Sequence, residues 1–101
     1  MSSILFEVNG IEVRDNDIVR LTNGMCVGIV GIHYQYEPTD DNKLVCVYTH
    51  PISSIHSFIS QKYITEVVAR FDDSHSQMQW FFDNHIQNPL VIIDEDIEKK
   101  E

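Results

Sequence analysis

Two Asn-Gly dipeptides, Asn9-Gly10 and Asn23-Gly24, each lie between runs rich in apolar residues. Asn-Gly supplies the positive φ needed at both centres of a type I′ turn, so it commits its flanks to antiparallel pairing. Around the first dipeptide, "ILFEVNGIEVR" folds back with Val8 opposite Ile11 and Phe6 opposite Val13. These four side chains then share one apolar face, and Glu7, Glu12 and Arg14 share the other. That register sets Glu7 directly across from Glu12, a like-charge pair that costs roughly a few tenths of a kcal/mol.

The rest of the chain continues the β pattern. "IVRL" leads through Asn23-Gly24 into "MCVGIVGIHYQY", where Gly28 and Gly31 mark a bulge or a sharply coiled strand. "EPTDDN" is a loop by composition. In "KLVCVYTH", Leu44, Cys46 and Tyr48 face one way and Val45 and Val47 the other, which predicts a central strand. "PISSIHSFISQ" mixes Pro, Ser and β-branched residues and reads as a partly buried loop. "KYITEVVARF" is a fifth strand. In "DDSHSQMQWFFDNHI", Asp72, Asp73 or Ser74 caps a helix with Met78, Phe81, Phe82 and His85 or Ile86 on one stripe and Trp80 off it. Asn88-Pro89 ends the helix, and "LVIID" forms a last short strand. The expected architecture is mostly β, or α+β: one small antiparallel barrel over residues 1–93 with an N-terminal hairpin and one C-terminal α-helix, then a solvated acidic tail over 94–101.

The succession "DIVRLTNGMCVGIVGIHY", "NKLVCVYTHP" and "ISQKYITEVV" resembles the Src-homology-3-like barrels of the Tudor, KOW and bromo-adjacent-homology groups. In these, an Asp-x-Val opening strand precedes a turn, a long bent Gly-bearing strand, a hydrophobic strand and a closing strand. The resemblance spans roughly Asp17 to Phe71. It implies a binding module, and its Tudor form implies an aromatic cage for methylated lysine or arginine.

Charge narrows the class of partner. Sixteen Asp and Glu stand against seven Lys and Arg in 101 residues, a formal −9. With residues 94–101 set aside, eleven acids still face five bases. Such a surface repels nucleic-acid backbones and anionic lipid, so neither is an expected direct partner, and a basic protein is its complement. Cys26 and Cys46 lie in apolar runs without CxxC spacing, as reduced and buried thiols do. No basic leader or apolar stretch of ~20 residues is present, so a cytoplasmic location is expected.

Three constellations suggest chemistry. His33, His50 and His56 would make a three-histidine zinc site for a small hydrolase if their strands were neighbours, although their spacing matches no local ligand motif. "DDSHS" contains triad letters, but adjacent residues at a helix start serve as caps rather than converging on one reacting atom. Tyr34, Tyr36, Tyr48, Tyr63 and Trp80 would form a cage with Asp40 or Asp41 at its rim, or else cover the core with wet hydroxyls.

The leading expectation is a non-enzymatic, cofactor-free module that docks on a basic or nucleic-acid-handling protein through an acidic face. Its contact residues would be Glu7, Glu12, Asp15, Asp17, Tyr34, Tyr36, Asp40, Asp41 and Trp80. The alternatives are a phage-type inhibitor that mimics nucleic acid, a methyl-lysine reader and the zinc hydrolase. The sequence does not specify an oligomeric state.

Overall fold

The computed structural model describes residues 4–34, 43–50 and 55–98. Strands β1 (Ile4–Val8) and β2 (Ile11–Arg14) form the N-terminal hairpin, with Phe6 opposite Val13, Glu7 opposite Glu12 and Val8 opposite Ile11. Asn9 at φ 53 and Gly10 at φ 80 supply the turn, as the dipeptide demands. The second Asn-Gly works differently. Its hairpin closes on three residues, Thr22 to Gly24, with the Gly24 amide bonded to the Leu21 carbonyl and only Gly24, at φ 93, left-handed.

Strands β3 (Ile18–Leu21), β4 (Cys26–Tyr34), β5 (Lys43–Tyr48), β6 (His56–Ile59) and β7 (Ile64–Ala69) form one antiparallel sheet in the order β6-β5-β4-β3-β7. The two outer strands are consecutive in sequence, joined by Ser60 and a 3₁₀ turn, Gln61–Tyr63. In a flat sheet they would lie about 19 Å apart, four spacings of about 4.8 Å. Five residue steps reach about 17 Å when fully extended, and this linker is a tight turn. The sheet must therefore coil strongly. One bulge lies at Val30, where the β4–β5 register slips between Ile29 and Gly31, and the β3–β7 register shifts between Ile18 and Val19 and between Arg20 and Leu21. Among the described residues β6 and β7 do not pair with each other, so the sheet is curled rather than closed.

The inner face carries the main core: Val19, Leu21, Val27, Ile29, Val45, Val47, Ile59 and Ile64, sealed by Phe6 and Val13 of the hairpin and by Tyr63, Ile92 and Ile97. On the other face, helix α1 (Ser74–Asp83) packs Phe81 against Ile18 and Cys26. Its inward residues are Gln77 and Phe81, while Phe82, from the expected stripe, is 46% exposed. Gln77 turns inward because its amide donates to the carbonyls of Asp17 (3.1 Å) and Ile29 (3.0 Å). Gly28 makes the room: a Cβ there would lie 2.6 Å from the Gln77 side chain.

Four sequence expectations change. The helix ends at Asp83 in a Schellman cap rather than at Asn88-Pro89: His85 is left-handed at φ 57, and the Ile86 amide reaches back to the Phe81 carbonyl at 3.0 Å. "PISSIHSFISQ" contains strand β6, with Ser57 inward and Phe58 outward; residues 51–54 lie outside the description. "LVIID" is not a strand; Ile92 instead enters the core, its amide bonded to Ser57 Oγ at 2.9 Å.

The fourth concerns the tail, which over residues 94–98 docks on the domain through Asp94, Ile97 and Glu98 while Glu95 and Asp96 stay exposed. The segment forms a short helix, α2 (Asp94–Glu98), with Ile97 buried in the core. Asp94 accepts from the Ser60 amide (2.9 Å) and hydroxyl (2.6 Å), and Glu98 accepts from the Tyr63 hydroxyl (2.6 Å). The Glu98 bond pushes the Tyr63 phenol up from 10.0 to about 12. Because the fold favours the protonated phenol, this contribution to stability is full below pH 10.0 and is lost as pH rises toward about 12. In an ultraviolet titration, Glu98→Gln is expected to lower the highest tyrosine ionisation step.

Candidate functional site

Three local features build the candidate docking surface. The first is the start of α1, where Asp73 Oδ1 accepts from the Ser76 amide at 2.6 Å. That bond holds the Asp73 carboxyl below its ordinary range and makes "DDSHS" a helix cap. The second is the outer side of α1. Trp80 lies beside Phe81 in an edge-on contact, centroids 5.7 Å apart, and stays only partly buried. Between α1 and Phe71 runs a groove of about 300 Å³ lined by Phe71, His75, Ser76, Gln79, Trp80 and Asp83. Gln79 Nε2 donates to Asp83 Oδ1 at 2.9 Å across one helical turn.

The third feature is the acidic outer face of the hairpin. Glu7 and Glu12 are exposed and directly opposed, with Arg14 near Glu12 at 3.6 Å. Arg70 connects this face to the groove: its guanidinium donates to the Glu12 carbonyl at 2.9 Å, and the next residue, Phe71, lines the groove.

Asp17 does not belong to this surface. Its side chain has no exposure; it accepts from Arg70 Nε (2.9 Å), Arg70 Nη2 (3.0 Å) and the Arg14 amide (2.9 Å). It is a structural clasp between the hairpin exit and the end of β7. Asp15 is half-buried in the turn before it, Tyr34 is exposed at the end of β4, and Tyr36, Asp40 and Asp41 lie outside the described residues.

Among the described residues, Tyr48 and Tyr63 do not converge with Trp80 into one cage. Tyr48 lies under α1, edge-on to Phe81 at 5.4 Å, whereas Tyr63 is buried on the opposite face of the sheet. The histidines are also dispersed. His33 meets Phe58 at a tilt of 46° with ring centroids 4.8 Å apart, and His56 meets Tyr48 edge-on at 6.5 Å; among the described residues no group of three or more His, Cys, Asp or Glu is placed to hold a metal. Both cysteines are free thiols, and burial pushes both thiols up.

The electrostatics follow from how the cations are used. Arg14, Arg20 and Arg70 each pair with a carboxylate of this chain, and Lys62 lies 5.2 Å over the Tyr63 ring. Among the described residues Glu7, Asp72, Asp83 and Glu95 make no ion pair. Sequence reasoning singled out Trp80 but missed Phe71, Gln79 and Asp83. The available signal was the i, i+4 spacing of Gln79 and Asp83 around an aromatic residue off the apolar stripe.

No described helix is long and apolar enough to cross a membrane. Comparison with family models, curated proteins and solved structures finds no match.

Proposed function

We propose that this chain is a non-enzymatic interaction module of the cytoplasm that docks on a basic or nucleic-acid-handling protein through the acidic face of its hairpin and the adjoining face of α1. One observation carries the reading: the described arginines are tied to the chain's own carboxylates, while Glu7, Asp72 and Asp83 stay on the surface without ion pairs. The opposed Glu7 and Glu12 support it, because the fold tolerates repulsion there with only Arg14, 3.6 Å from Glu12, to screen it. The strand order, with a 3₁₀ turn joining the two outer strands, supports a Src-homology-3-like scaffold. Free thiols suit a reducing compartment.

The test is association with a hexalysine peptide at low salt. Changing Glu7 and Glu12 together to Gln is expected to leave stability equal or slightly raised, to slow association and to weaken binding roughly threefold, since steering charge is lost. Glu95→Gln with Asp96→Asn removes the same charge from α2 and is expected to weaken it less. Equal effects at the two places would mean that only net charge matters, and the hairpin would not be an interface.

A further inference from the structure

We infer that the groove between α1 and Phe71 is the anchoring pocket for an arginine side chain of the partner. This deepens the docking proposal and rests on it for the existence of a basic partner.

The groove combines the two things a guanidinium binds. Trp80 and Phe71 both line it, and an aromatic ring attracts a cation over its face through its quadrupole, Trp most strongly. Its rim carries acceptors. Gln79 Nε2 is directed to Asp83 Oδ1, which leaves Gln79 Oε1 and Asp83 Oδ2 as acceptors. None of the groove's described lining residues is a lysine or arginine, and His75 is the basic group among them. Arg70, the neighbour of Phe71, has its guanidinium committed to Asp17 and the Glu12 carbonyl.

The position of Asp83 adds a second argument. It is the last residue of α1, where the helix dipole is negative and a carboxylate is unfavourable, and no basic residue lies in that last turn to offset it. A cation arriving from a partner would relieve both the dipole and the carboxylate. The room, about 300 Å³, suits one long side chain with a few waters. Arginine fits better than lysine because its planar fork can stack on the ring while its N–H groups reach the rim, whereas an ammonium is a compact and strongly hydrated charge.

Trp80 is the chain's single tryptophan, so its emission reports on the groove directly. The experiment titrates the full chain with hexaarginine and with hexalysine, following heat release and tryptophan emission together, and repeats both with Asp83→Asn. Removing a carboxylate from the helix end is not expected to harm folding, and the circular dichroism of the variant checks this. Hexaarginine is expected to shift the emission, to bind about tenfold more tightly than hexalysine and to lose about tenfold in the Asp83→Asn variant. Heat release without an emission change, or an unchanged affinity in the variant, would overturn the pocket and leave the acidic docking reading standing. Equal affinity for the two peptides would overturn its specificity for arginine. Absence of heat release with either peptide at low salt would overturn both.

Discussion

Asp17→Ala is expected to cost about 3 kcal/mol of folding stability, a large share of what a domain of this size has to spare. The carboxylate has no exposure and receives three hydrogen bonds, two from Arg70 and one from the Arg14 amide. Removing it strands those donors around a small void. The Arg70 side chain is 41% exposed and can rehydrate, which keeps the cost below that of a fully enclosed ion pair. Arg70→Ala should cost a similar amount, because it leaves the buried carboxylate without its cation. The double variant should lose less than the sum, the signature of a shared contact. Denaturant unfolding of the three variants measures this. A loss under ~1 kcal/mol for Asp17→Ala would mean that the carboxylate faces solvent and that the clasp is misplaced.

Phe81→Ala should cost about 3–5 kcal/mol, because Phe81 is fully buried between α1 and the sheet, against Ile18 and Cys26. Trp80→Ala should cost less, about 1–2 kcal/mol, because one side of Trp80 faces the groove rather than the core. Binding should show the opposite ranking: cationic peptides should lose affinity for the Trp80 variant and keep it for the Phe81 variant under conditions where that variant is folded. Equal unfolding losses at the two positions would place Trp80 in the core and remove it from the docking surface.

The hairpin was legible from Phe6 to Val13 because Asn9-Gly10 determines the turn and the period of two then assigns those side chains to a face; the bulge at Leu5, which sets Ile4 opposite Arg14 and turns Leu5 toward the core beside Phe6, was not. The central position of β5 was legible for the same kind of reason, since apolar residues on both sides of a strand have few other uses. Strand β6 was not. Its inward positions hold Ser57 and Ile59 and its outward ones His56 and Phe58, so the apolar pattern points the wrong way until Ile92 arrives to bond Ser57.

Buried polar groups account for the other misreadings. Asp17 reads as a surface acid because its partner, Arg70, is 53 residues away in sequence. Gln77 was not among the residues expected on the helix's buried stripe, yet the carbonyls of Asp17 and Ile29 draw it inward over Gly28. The run "DEDIEKKE" reads as solvated, and a single residue, Ile97, with carboxylates on Ser60 and Tyr63, is enough to dock its first turn. At the groove, the composition showed an odd tryptophan, but the pairing of Trp80 with Phe71 depends on where β7 delivers the chain to α1.

The central claim is that a basic partner is met by the acidic face of the hairpin and the outer side of α1. Its most direct measurement is a nuclear magnetic resonance map of backbone amides during titration of the full chain with hexaarginine. The account predicts shifts concentrated at Glu7–Asp15 and at Phe71–Asp83, diminishing as salt is raised. Shifts centred instead on the open outer face of β5 and β6, around Cys46 and Phe58, or spread evenly over every acidic residue, would contradict it.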